Sequence, residues 1–375
     1  MEDNRAVASS GCDLLVNGKG GGCRDDRLRS AAQIIFEECE AGSFPGASFL
    51  VWRAGSVVLQ GSVGCLSPER SHQVTPDTIF DMASVTKPMT AALMALLLAE
   101  EGRFSVLQKV PEFFPERPLA HLAGVSVEQL LTHTSGLPAW VELYAGTTDA
   151  GEAFEKLLNL PLEAPPGKRY EYSCLGYILL GKILERVSGE TLQSFLKRRV
   201  WDPLEMPDTG YCPPEEKYGR IASTMHCPAR PGQEITGQVH DGNAWVLGGI
   251  SGNAGLFSTP SDILKFCLNL LDADDQDCLV SRLARNRMLT SQISPDVGGQ
   301  SIGWFCKGND MLPSADFLPA DTFGHTGYTG TCVLMAPSEH FVSILLTNRV
   351  CLDRDGSRIR RTRRRFHNRL ASAII

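Results

Sequence analysis

Ser84 and Lys87 stand three residues apart in Ser84-Val85-Thr86-Lys87, which puts a hydroxyl and an amine on one face if a helix begins there. The residues that follow, Met89 to Gly102, are rich in Ala and Leu and close on a glycine, so the chain predicts a helix. Pro88 fits, because proline is tolerated in a first helical turn and breaks an interior one. Ser84 is therefore expected at the positive end of a helix dipole, with backbone N–H groups and an ammonium within reach. That is a setting for a nucleophile. The competing reading is an N-cap serine followed by a surface lysine. It is disfavoured by the apolar helix around the pair, where two polar side chains need a reason to be present.

A serine that carries out acyl transfer also needs a proton path and a site for the oxyanion. Tyr172, in Tyr172-Ser173-Cys174, follows a Pro-Pro-Gly-Lys loop and precedes a helix expected from about Leu175. Its phenol can stand at a loop tip facing a cleft; a packed aromatic at a helix start is the alternative. His325-Thr326-Gly327 lies in a glycine-rich run that enters a strand, whose edge N–H groups can bind an oxyanion or hold an extended substrate. Taken alone, His325 reads as a structural histidine.

S-x-x-K, a tyrosine triplet and an H-T-G strand, in this order, resemble the serine β-lactamase and penicillin-binding-protein superfamily. The tyrosine brings the resemblance nearest to its class C β-lactamase, esterase and D-aminopeptidase branch. FPGASFLVWRAGSVV (44–58), TPDTIFDMASVTKP (75–88), LLTHTSGLP (130–138), YSCLGYILLGKILERVSG (172–189), GGISGNAGLFSTPSDILKF (248–266) and FGHTGYTGT (323–331) are similar to that branch as well. The resemblance implies that Ser84 forms an acyl-enzyme, that Lys87 helps remove the hydroxyl proton, and that Tyr172 relays it to the leaving group. It further implies substrate binding along Thr326 and Gly327, with His325 where a lysine is usual. The oxyanion hole would be the backbone N–H groups of Ser84 and Tyr328. No metal or organic cofactor is called for. Two departures stand out. Cys174 occupies a position usually held by Asn or Asp, and a thiol is a poor hydrogen-bond partner for Lys87 or a substrate amide. His325 can grip a carboxylate only while protonated, so that grip would weaken near neutral pH.

The elements that must position these residues follow from the patterning. Residues 30–41 predict a helix ended by Gly42; residues 47–63 predict two strands around an Arg53-Ala54-Gly55-Ser56 turn; Thr331–Ala336 and His340–Thr347 predict another strand pair. Helical patterns fill the stretch between. The expected fold is α+β and β-lactamase/transpeptidase-like, an antiparallel sheet flanked by helices with an inserted helical subdomain. One hydrolase domain is expected over 30–375, its α/β part at about 30–83 and 300–375 and its helical part at about 84–299. Residues 1–29 lack a signal peptide's pattern and are expected to form a flexible tail, with the protein in the cytoplasm.

Composition excludes other classes. With 43% hydrophobic and 21% charged residues and no long apolar run, no membrane span is expected. Twelve cysteines include no C-x-x-C pair and no Cys/His ligand cluster, so most are expected to be small core hydrophobes. Eight arginines lie in residues 351–375, but the apolar spacing of Ile359, Phe366 and Leu370 predicts a packed C-terminal helix with its arginines in solvent, and no nucleic-acid partner. The expected function is that of a serine hydrolase acting on small esters, amides or peptides. The alternatives are a D-alanyl-D-alanine carboxypeptidase or weak β-lactamase and, from another class, an inactive relative retained as a binding protein. Oligomeric state is left open.

Overall fold

The computed structural model describes residues 13–271, 278–294, 296–312, 316–352 and 355–375. An antiparallel sheet gathers strands from both ends of the chain: β1 (Asp13–Val16), β2 (Gly46–Arg53), β3 (Ser56–Ser67) and β4 (Arg70–Gln73), with β8 (Phe305–Cys306), β9 (Phe323–Thr326), β10 (Cys332–Ala336) and β11 (Phe341–Thr347). Its order is β1-β3-β2-β11-β10-β9-β8, with β4 paired to β3. The β2–β3 turn is tight because Ala54 and Gly55 both take positive φ, 45° and 89°.

Both faces of this sheet are covered, so its central strands are apolar throughout and their alternation sorts side chains between two cores. Ala47, Phe49 and Val51 of β2 join Leu334, Leu345 and Phe366 on the side of the terminal helices. Leu50 and Trp52 join Val333, Ile344 and Met89 on the other. The terminal helices, Asp25–Glu40 and Ser357–Ala371, lie against the first core, where the Phe49 ring sits 6.2 Å from Phe36 and 5.9 Å from Phe366.

Residues 13–29 correct the expectation of a flexible tail. Val16 and Leu28 are buried in the sheet's outer core, β1 pairs with β3 over Asp13↔Ser62 to Val16↔Leu59, and the first helix starts at Asp25. Residues 1–12 of the expected tail lie outside the described residues.

The middle of the chain packs around the buried helix Cys174–Ser188. It also holds a second, small sheet of β5 (Phe80–Asp81), β6 (Gly210–Tyr211) and β7 (Leu256–Ser258), in the order β5-β7-β6. A Cβ at Gly252 would meet the Tyr177 carbonyl at 2.2 Å. The bare backbone lets the 251–255 loop lie directly on the central helix, which brings Asn253 to the site described next.

Candidate active site

The turn that carries Ser84 hangs from the small sheet. Met82 N–H donates to Leu256 O at 2.9 Å, and Leu256 N–H donates to Thr86 Oγ1 at 3.1 Å. Ala83 takes φ 46°, a left-handed conformation that is costly for a residue with a Cβ. From there the chain runs through a short 3₁₀ turn at Ala83–Val85, a wide π-type turn at Pro88–Ala92 and an α-helix at Leu93–Glu100. The expected helix is therefore present, but widened where Pro88 has no N–H to give.

Lys87 is fully buried and directs its Nζ to three acceptors: Ser84 Oγ at 3.1 Å, the Asn253 carbonyl at 3.1 Å and Cys174 Sγ at 3.4 Å. Among the described residues no carboxylate pairs with it. The Tyr172 ring lies 4.9 Å from this nitrogen. Burial holds the Tyr172 phenol well above its usual range, Cys174 adds to the rise, and the adjoining Ser84 hydroxyl offsets it only in part. Tyr172 therefore stays an O–H at neutral pH.

The loop at Tyr172 is fixed from below by the 133–139 segment. His133 Nδ1 accepts the Ser173 N–H at 3.0 Å, Ser173 Oγ donates to Pro138 O at 2.6 Å, and Ser173 Oγ caps the central helix at Gly176 N. Since Nδ1 is an acceptor, the ring carries its proton on Nε2. Burial, with Lys87 nearby, keeps His133 well below its usual value and so neutral.

The end of β9 closes the other side. A Cβ on Gly327 would meet Thr331 Oγ1 at 2.1 Å and Met82 O at 2.6 Å, so only glycine lets this edge lie against the serine turn. Arg363 fixes the loop from behind, donating to Gly327 O at 3.0 Å and Thr331 O at 2.7 Å. It is buried, against the expectation that the arginines of the C-terminal helix all face solvent. Others of that helix do face outward, and Arg361 and Arg365 pair with Glu38 of the first helix at 3.2 and 2.7 Å.

These elements enclose a cleft of about 700 Å³ lined by Ser84, Tyr172, Cys174, Thr326, Gly327 and Tyr328. Lys87 lies beneath its floor. His325 does not line the cleft, which corrects its expected place as a substrate-binding residue. Alternation along β9 turns it inward beside Phe323, opposite Val333, where it stacks on Phe305 at 4.2 Å with Nδ1 against Thr326 O at 2.8 Å. Burial, then Lys87, hold it well below its usual value, so a protonated imidazole is not on offer to a carboxylate. The cleft walls also include Trp140, Tyr144 and Pro228, and the C-terminal segment adds Ile359 and Arg360.

His133, Asn253, Phe305 and Arg363 were not read from the sequence as site residues. Asn253 acts through its carbonyl and His133 through a lone pair on a backbone N–H, so residue type carries little signal. Their stretches, 130–138 and 248–266, did stand out by resemblance. A family model described as Beta-lactamase matches residues 31–366. The chain belongs to the beta-lactamase family. Among relatives in this family, a candidate D-alanyl-D-alanine carboxypeptidase of Escherichia coli (strain K12) is 28% identical over 360 residues, covering 86% of this chain and 82% of that protein. A penicillin-binding protein homologue from Caulobacter crescentus superposes with a TM-score of 0.72 at 22% identity, covering 96% of this chain and all of the other. EstCE1, a hydrolase with promiscuous acyltransferase activity, superposes at 0.71 with 20% identity over 90% of this chain and 97% of its own. Both structural matches establish the beta-lactamase-type fold. Among the described residues no group of His, Cys, Asp or Glu is arranged to hold a metal, and no helix is long and apolar enough to cross a membrane.

Proposed function

We propose that this serine hydrolase of the beta-lactamase family cleaves small esters or amides through an acyl-enzyme on Ser84. The observation that carries the reading is the contact of Lys87 Nζ with Ser84 Oγ at 3.1 Å, with the amine buried and no carboxylate partner among the described residues. In its neutral form Lys87 takes the hydroxyl proton as Ser84 Oγ bonds to the substrate carbonyl carbon. The oxyanion is received by the backbone N–H groups of Ser84 and Tyr328. Collapse breaks the bond to the leaving oxygen or nitrogen, which takes a proton through the Tyr172 phenol. Water then releases the acid and restores Ser84.

Ester preference over lactams is supported by the thiol at Cys174 and by the inward, neutral His325. A second reading, carboxypeptidase action on a D-alanyl-D-alanine end, is favoured by the named relatives and by Arg349 and Arg360 on the cleft wall. Steady-state assays with p-nitrophenyl acetate, a D-alanyl p-nitroanilide, a D-alanyl-D-alanine peptide and a penicillin separate these. The ester should turn over with the highest kcat/KM; a higher value for the peptide selects the second reading, and turnover of none points to a binding protein. A cytoplasmic setting is part of the proposal, supported by the eleven described cysteines, all free, and is checked by cell fractionation.

A further inference from the structure

Asp81 ends β5 three residues before Ser84 and is almost completely buried, at 2% exposure. Its Oδ1 accepts the Ala83 N–H at 2.8 Å and its Oδ2 accepts the His240 N–H at 2.7 Å, while its backbone carbonyl accepts the Thr329 hydroxyl at 2.7 Å. One residue thus joins the serine turn, the loop that puts His240 and Asp241 on the cleft wall, and the loop after β9 that carries Tyr328. The joined turn is the strained one. Ala83 sits at φ 46°, and the hydrogen bond to Asp81 is made by its own N–H. A carboxylate can accept both N–H groups at once, and as an ionised acceptor it holds each more strongly than a neutral carbonyl does. A protonated carboxyl cannot: its O–H oxygen faces a donor.

We propose that Asp81 is a positioning residue for acyl transfer, holding the left-handed turn at Ala83 that presents Ser84, and that it holds this turn only as a carboxylate. The inference rests on Ser84 being the nucleophile. The groups that face Asp81 come from several elements. Asp241 opposes its charge and Arg230 favours it; His240, itself near Arg349, is pushed down to about 4 by burial and faces the site as a neutral ring bonded to Met225 O. Burial is the largest influence on Asp81 and pushes its carboxyl up to about 6. The turn therefore loosens as the pH falls from 7 to 5. Global stability moves the other way for this group. A carboxyl raised in the fold favours the folded state below its unfolded value, and that contribution is lost as the pH rises through about 6. The fold thus carries the charge at a cost to its stability, while the site needs it.

The test is the rate at which a fluorophosphonate labels Ser84, measured from pH 5 to 8 on the full chain as wild type, Asp81→Asn, Ala83→Gly and the double variant, with melting temperatures alongside. Wild type should slow by about tenfold between pH 7 and 5, the factor that one hydrogen bond carries. Asp81→Asn should be slow and flat in pH, yet melt no lower than wild type at pH 7.5. Glycine enters the left-handed region without strain, so Ala83→Gly should weaken the acid limb by itself and restore several-fold of the rate lost in Asp81→Asn. An acid limb that persists in Asp81→Asn, a rate that Ala83→Gly leaves unrestored, or loss through a lowered melting temperature overturns the inference while leaving the nucleophile in place. If Asp81→Asn does not fold, an unchanged acid limb in Ala83→Gly overturns it. Absence of any wild-type label on Ser84 overturns both the nucleophile and the inference.

Discussion

Lys87 Nζ has three polar neighbours, and one of them is a sulfur. The Cys174 thiol at 3.4 Å is the weakest of the set, and a carboxamide there would offer a better oxygen to the amine and a polar group to a substrate amide. Cys174→Asn should therefore raise kcat/KM for amides or penicillins more than for p-nitrophenyl esters, by about tenfold for a contact worth about 1.4 kcal/mol. Paired steady-state assays check this, and equal changes on both substrate types would show that Cys174 does not set the preference. Lys87→Ala and Tyr172→Phe should each slow acylation by about 10²–10⁴-fold, the range for a positioned proton-transfer group. Rapid-mixing measurements of acylation decide it; a wild-type rate for either variant on an unactivated amide would remove that residue from the proton path.

At the scale of elements, the site depends on how closely backbones meet. Gly327→Ala would drive a Cβ into Thr331 Oγ1 and Met82 O, both held by neighbouring strands and turns. It should destabilise the fold by about 1–3 kcal/mol, as overpacking does, and abolish Ser84 labelling. Denaturant unfolding beside a labelling assay reads both, and a fully active, fully stable variant would show that the β9 edge does not need this approach. The same scale explains what the sequence made legible. Ser84, Lys87 and Tyr172 stand at the start of apolar, strongly helix-forming segments, and the strands Cys332–Ala336 and Phe341–Thr347 are almost wholly apolar. The inward turn of His325 was hidden, because the face of a strand residue depends on register with its partners and a shift of one reverses it. The strand Asp13–Val16 is four residues long and acquires its identity only by pairing with β3. Arg363 looks like its arginine neighbours until the helix is docked.

The molecule as a whole holds several imidazoles in their neutral form. Burial keeps His133 and His325 well below their usual values and pushes His240 down to about 4. In the unfolded chain these rings take up protons near pH 6.5, so the stability they contribute is full above that value and is lost as the pH falls below it. Asp81 acts in the opposite sense over about pH 6 to 4, and Asp262, whose carboxyl burial also raises, adds to it, two carboxyls against three imidazoles. The melting temperature should therefore fall between pH 7 and 5, and His325→Gln should make that fall shallower; a flat or rising profile would contradict the neutral assignment. The central claim, that this fold brings a buried amine to Ser84 to make an acyl-enzyme, is tested most directly by intact-mass spectrometry with peptide mapping after exposure to a fluorophosphonate. One adduct, mapped to Ser84 and absent from a Ser84→Ala variant that keeps the wild-type melting temperature and has lost ester hydrolysis, is the predicted result. An adduct mapped to another residue, or ester turnover retained in Ser84→Ala, would contradict it.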